Sequence, residues 1–173
     1  MKIKHPFKII LLVLLLLLFK TNVGNAEIRY NPNDLRVKSN ASVNDIYNML
    51  EGCKYQYSDV AAAIKEAEEK YNINAVFIVS LTKFESGNGS NKLTKEHYNI
   101  TSMKNIQGGW KHFESYQHCI DYTCRCLNRS YLNPNGCYFK GYGIQDVNTY
   151  YCTENWWGNS INNISYNILD KIN

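Results

Sequence analysis

A helix built from "NAVFIVSLTKF", residues 74–84, has almost no polar side to turn toward water. An amphipathic helix buries one stripe, but a helix that is apolar nearly all round has to run through the middle of a domain. The rest of the chain must therefore wrap it. The residues that follow, "ESGNGS", end the run: Gly87 and Gly89 stop the helix, and Glu85 falls on its last turn.

The wrapping elements are legible on either side. Ser42 with Asp45 three positions on starts a short helix that closes at Gly52. Ser58 opens a second, "DVAAAIKEAEEKY", with Val60, Ile64, Ala67 and Tyr71 along one face and a solvated charged face opposite. Gly108-Gly109 between short β-prone stretches predicts a small hairpin. Ser115 caps "YQHCIDYTCRCLNRSYL", which turns Cys119, Ile120, Thr123, Cys124 and Leu127 inward. Two more helices are expected over 144–151 and 156–172, the latter with Ile161, Ile164 and Ile168 at helical spacing. Residues 27–41 are polar, hold a proline and lack periodicity, so they read as a flexible N-terminal arm. The expected fold class is mainly α (α+β), one domain over 42–173 with a small β-hairpin lobe flanking a cleft.

Ahead of that domain, "MKIKHPFK" is basic, Ile9 to Phe19 is apolar, and "VGNA" ends in small residues. This is the layout of an export signal cut after Ala26; the apolar run is shorter than the ~20 residues a spanning helix needs. An uncleaved signal-anchor is the alternative. Lys2, Lys4, Lys8 and Lys20 account for the whole excess of 19 basic over 15 acidic residues, so residues 27–173 are balanced. A neutral exported domain gives no electrostatic case for nucleic acid or an anionic membrane surface. A secreted, wall-associated monomer without stable membrane insertion is expected. The six cysteines, Cys53, Cys119, Cys124, Cys126, Cys137 and Cys152, leave disulfides open. A zinc site from His112, His118, Cys119, Cys124 and Cys126 is not expected, since C-x-x-C spacing is missing, and no cofactor or metal is called for.

Glu85 is where chemistry is available. A carboxylate at the end of a buried helix loses hydration, which raises its pKa, and the carbonyl end of the helix dipole pushes the same way. A glutamic acid that keeps its proton near neutral pH can hand it to a leaving oxygen, the general acid's task in glycoside hydrolysis. Gly87 and Gly89 would let a substrate approach the backbone without meeting a Cβ. Position alone favours a solvated helix-end charge, and Gly87 and Gly89 read as a plain helix stop and turn. Export, 14 tyrosines, three tryptophans and the lack of any other catalytic constellation favour the sugar chemistry, because aromatic faces stack on sugar rings.

Three stretches in order, "IKEAEEKYNINAVFIVSLTKFESGNGSNKLTKEHYNITSMK", "FESYQHCIDYTCRCLNRSYL" and "VNTYYCTENWWGNSINNI", resemble the bacterial β-N-acetylglucosaminidases of glycoside hydrolase family 73. These are peptidoglycan hydrolases. The resemblance covers about residues 42–170. It implies a lysozyme-like fold and cleavage of the β-1,4 bond between N-acetylglucosamine and N-acetylmuramic acid in glycan strands. It places the catalytic glutamate at Glu85, a cleft tyrosine at Tyr151 and a substrate-side asparagine at Asn99. Two departures stand out: Asn88 where the family often has tryptophan, and Tyr98-Asn99-Ile100-Thr101-Ser102 where it reads asparagine-asparagine-leucine-phenylalanine-glycine. A second carboxylate would come from Glu96, Glu114 or Asp121, with Glu114 the first choice; substrate assistance by the 2-acetamido group removes the need for one. A lytic transglycosylase or muramidase of the same fold, and a catalytically silent glycan-binding component of an envelope assembly, are the alternatives.

Overall fold

The computed structural model describes residues 27–173; the expected export signal, residues 1–26, lies outside the described residues. Helix α1 is Val43–Met49, α2 Ser58–Tyr71, α3 Ala75–Ser86, α4 Lys92–His97, α5 Tyr116–Cys126, α6 Ile144–Tyr151 and α7 Trp157–Ile172. A π-helical turn, Leu127–Tyr131, prolongs α5. Among the described residues no helix is long and apolar enough to cross a membrane.

The helix starts follow from their caps. Ser42 accepts from the Asp45 N–H while Asp45 accepts from the Ser42 N–H, a reciprocal box that satisfies two otherwise orphaned donors. Asn91 and Ser115 cap α4 and α5 singly, their side chains accepting from the Thr94 and His118 N–H groups. Helix α3 is the central one, buried from Ala75 to Thr82. It packs along α7, and both helices lie against α1. Ser80 accepts from the Ser165 hydroxyl at 2.8 Å inside the α3–α7 seam. The second layer is α2, which packs on α1 and α5.

The hairpin lobe is smaller than its sequence predicts. One antiparallel bridge, Lys104 to Trp110, closes a loop in which Gly108 and Gly109 both take positive φ. Thr101, one of the departures, is buried and shares a 2.8 Å hydrogen bond with Thr123 of α5, so a polar pair occupies that spot in the core.

Residues 27–41 require a correction. They are not a loose arm but a strap fixed to the body. Leu35 is buried outright, together with Ile28 and Ala41. The backbone of the strap is satisfied by distant groups: Leu35 N–H donates to the Tyr142 carbonyl and Asn74 N–H to the Leu35 carbonyl. The Asn74 amide donates to the carbonyls of Arg29 and Val37 while its oxygen caps α3. Glu68, also buried, accepts from Ser39 N–H on the strap and Ala75 N–H at the start of α3, both on Oε1. Isolated apolar residues without a period carry no sequence signal for this docking.

Candidate active site

Helices α3 and α7 run antiparallel, so the carboxyl end of one meets the amino end of the other. That places Trp157, the first residue of α7, beside Glu85 on the last turn of α3. The Trp157 indole N–H donates to Glu85 Oε1 at 2.9 Å, and the Trp157 ring is itself buried. The backbone of Glu85 is held as well: its carbonyl accepts from Ser102 Oγ at 2.9 Å and from the Asn91 amide at 3.1 Å. Burial pushes the Glu85 carboxyl above the ordinary glutamate range, with the Trp157 N–H and the Ser102 hydroxyl pulling part of the way back.

An indole nitrogen donates and has no lone pair to accept with. Oε1 of Glu85 therefore acts as an acceptor, and in the protonated acid the hydrogen is favoured on Oε2, because a carbonyl oxygen accepts more strongly than a hydroxyl oxygen. Trp157 thus orients the carboxyl and favours Oε2 as the oxygen that carries the proton. Sequence reasoning kept Trp157 only as one of three aromatic candidates. A signal for it existed: it lies four residues before Ile161, on the buried stripe of α7, whereas Trp156 falls off that stripe. Trp156 is indeed 54% exposed, set edge-on to Phe84 with ring centroids 6.0 Å apart.

Tyr151, the last residue of α6, lies beside this pair. Its ring packs between Trp157, centroids 4.9 Å apart, and Tyr131, 5.6 Å apart. Tyr138 and Tyr150 continue the aromatic row. The Tyr151 hydroxyl is buried and has no hydrogen-bond partner. Burial raises its pKa well above the ordinary value, and the Glu85 charge pushes the same way, so it is a neutral O–H donor at any physiological pH. A buried hydroxyl without a partner costs about 1–3 kcal/mol, a cost a bound ligand can remove.

The other expected site residues lie elsewhere. Asn99 requires a correction. It is fully buried, and its amide holds the hairpin loop: the nitrogen donates to the carbonyls of Met103 and Lys111, and the oxygen accepts from Met103 N–H. Nothing of it is left for a substrate. Asn99→Ala is expected to leave these groups orphaned and to lower stability by about 2 kcal/mol. Thermal denaturation checks the cost, and faster proteolysis within residues 103–111 checks its location.

Gly87 and Gly89 also act in the fold. Gly87 ends α3 in the left-handed region with φ +55°. Gly89 has φ +81° and lies against Tyr55 and Lys54, where a Cβ would come within 3.0 Å of the Tyr55 ring. Asn88 between them turns toward Cys53, on the Lys83 side of α3, and with Lys83 and Ile168 lines a cavity of about 350 Å³. Positions two apart on a helix, such as Lys83 and Glu85, point to roughly opposite sides, so that cavity lies behind Glu85.

None of the three candidate second carboxylates is bonded to Glu85. Glu114 is 91% exposed and faces His118 at 3.8 Å. Glu96 pairs with Lys92, and Asp121 with Lys70 and Tyr71. All six cysteines are free thiols.

A central helix ending in an oriented acid, wrapped by helices and bordered by a short hairpin loop, makes this a mainly helical domain of the lysozyme-like class. Solved structures agree on the fold. Autolysin E of Staphylococcus aureus superposes with a TM-score of 0.66 at 18% identity, covering 86% of this chain and 74% of that one. It has also been solved with the muropeptide NAM-L-Ala-D-iGlu and, as a catalytic glutamate-to-alanine mutant, with the disaccharide NAG-NAM. The catalytic domain of the Listeria monocytogenes autolysin Auto gives a TM-score of 0.52 at 14% identity, covering 75% of this chain and 89% of that one.

The chain belongs to the glucosaminidase family, described as mannosyl-glycoprotein endo-beta-N-acetylglucosaminidase, whose model matches residues 61–169. A relative in Streptococcus pneumoniae serotype 4, named "Putative endo-beta-N-acetylglucosaminidase", is 24% identical over 146 residues, 80% of this chain. The chain spans about a fifth of the length of the curated relatives it matches, at 22% and 21%.

Proposed function

We propose that this protein is an exported peptidoglycan hydrolase that cuts the β-1,4 bond on the reducing side of N-acetylglucosamine, with Glu85 as its general acid. The observation that carries the reading is the Trp157 N–H on Glu85 Oε1, beside an orphaned Tyr151 hydroxyl. Family membership supports the sugar chemistry. The muropeptide and NAG-NAM complexes of autolysin E support the glycan strand as substrate.

Glu85 donates its Oε2 proton to the glycosidic oxygen as the bond from that oxygen to the anomeric carbon breaks. The 2-acetamido oxygen of the sugar serves as the nucleophile, closing a ring on its own anomeric carbon, a route that needs no second carboxylate. Glu85, now ionised, then takes a proton from the water that opens this ring. The products are a new reducing end on N-acetylglucosamine and the restored acid. The Tyr151 O–H donates to the acetamido group or the water and orients it. Trp156 and the Tyr131–Tyr138–Tyr150 row offer apolar faces for sugar rings.

Trp157→Phe keeps the ring packed on Tyr151 and removes the N–H. That donor favours the ionised carboxylate, so its loss raises the Glu85 pKa further. A general acid works while protonated, so the alkaline limb of the kcat/KM profile moves to higher pH as kcat falls. An unmoved limb would remove Trp157 from the account. Digestion of purified peptidoglycan, with mass analysis of the fragments, tests the bond cut. Reducing-end N-acetylglucosamine is expected; anhydro-muramic ends would instead assign the chain to lytic transglycosylases. Amino-terminal sequencing of the exported form, with cleavage expected after Ala26, checks the export reading.

A further inference from the structure

His97, the last residue of α4, and His112, just past the hairpin, are 15 residues apart, so no sequence spacing flags them as a pair. In the fold their Nδ1 atoms face each other at 3.3 Å. The rings stand at 80° with centroids 5.4 Å apart, so each directs its Nδ1 edge at the other. Two facing nitrogen lone pairs repel unless a proton or a metal lies between them. Without an ion, one ring's N–H can fill the gap as a long hydrogen bond to the other ring's bare nitrogen. The separation matches the edge of a tetrahedron around zinc, where Zn–N bonds of ~2.0–2.1 Å put two ligand nitrogens about 3.3–3.4 Å apart.

The backbone holds the pair in place. Phe113 N–H donates to the His97 carbonyl at 2.9 Å, tying the two histidine-bearing segments together. On the other side of His112, the Lys111 carbonyl is held by the buried Asn99 amide. The imidazoles are thus presented by a fixed frame, which lowers the ordering cost of binding an ion.

We propose that His97 and His112 form a site for a divalent late transition metal such as zinc, bound through both Nδ1 atoms. Imidazole suits zinc, copper and nickel, whereas magnesium and calcium demand oxygen ligands. Among the described residues no group of three His, Cys, Asp or Glu side chains converges to hold a metal, so the remaining positions here are open to water. The ion is exchangeable for that reason. It closes the neck of the 98–112 loop, whose Ser102 hydroxyl reaches the Glu85 carbonyl. The site therefore stiffens one border of the groove without entering the chemistry.

Zinc titration of the untagged full chain by isothermal calorimetry tests this, alongside His97→Ala, His112→Ala and His118→Ala. One zinc per chain is expected, and its affinity should fall more than about tenfold in each of the first two variants, since even outer-shell changes at metal sites cost ~10–100-fold. His118, which faces Glu114, is the control and should leave affinity unchanged. Zinc should raise the melting temperature of the unmodified chain and not of His112→Ala. The proposal is overturned if the chain takes up no zinc, if His97→Ala and His112→Ala bind it as well as before, or if His118→Ala loses it.

Discussion

Glu85→Gln is expected to lose about 10²–10⁴-fold in kcat/KM on peptidoglycan, the range a positioned general acid supplies. Glutamine keeps the shape of the side chain and an acceptor for the Trp157 N–H, so the packing around α7 should survive. What it lacks is the proton on the second oxygen. Stability should move the other way. A carboxyl whose folded pKa is raised contributes its full stability below the unfolded pKa and loses it as pH rises through the folded one. At neutral pH the wild type has therefore given up part of that stability to hold a charge in a half-buried place, and the neutral amide has not. Glu85→Gln should melt at the same temperature as wild type or above it at pH 7, with the difference vanishing in acid. Zymograms and thermal scans over pH read both effects. A variant that clears peptidoglycan as fast as wild type would show that the acid lies elsewhere.

The largest effect on the fold is expected at Glu68, far from the chemistry. One oxygen of this buried carboxylate holds the Ser39 and Ala75 N–H groups, and the other takes the Lys65 ammonium at 2.9 Å. It joins the strap, α2 and the start of the central helix at one point. Glu68→Ala leaves two backbone donors without an acceptor and should cost about 3–5 kcal/mol, as when a buried pair is broken. Against a total stability of ~5–15 kcal/mol, that is a large share. Glu68→Gln keeps the oxygen that both N–H groups use and sets an amide against Lys65, so it should cost less, about 1.5–3 kcal/mol for a lost hydrogen bond to a charged group. Chemical denaturation of both variants checks the order Ala worse than Gln. Equal costs would mean that the lysine contact, not the two backbone bonds, holds this junction.

Where local chemistry decides, the sequence was sufficient. The central helix was visible in the all-round apolar run, its end in Gly87, and two of its neighbours in the caps Ser42 and Ser115. Glu85 followed because a glutamate at the end of such a helix has few ways to stay hydrated. Where tertiary partners decide, it was not. Asn99 looked like a cleft residue because an asparagine before a hairpin can face either way; the carbonyls that claim it lie 4 and 12 residues further on. The strap looked loose because Leu35 has no periodic companions and its hydrogen bonds come from Asn74, Glu68 and Tyr142. Trp157 sits next to an equally bulky Trp156, and only the register of α7 separates the inward ring from the outward one. Glu114, chosen for its closeness to the hairpin in the chain, is exposed in the fold.

The account rests on Glu85 holding its proton on the oxygen that Trp157 does not touch. The direct measurement is a ¹³C NMR titration of the Glu85 side-chain carboxyl, with the resonance assigned by its loss in Glu85→Gln. A midpoint clearly above the ~4.3 of an unperturbed glutamate is expected, rising further in Trp157→Phe. A midpoint at or below that ordinary value would mean a carboxylate already ionised where the acid is needed, and would contradict the proposed catalysis.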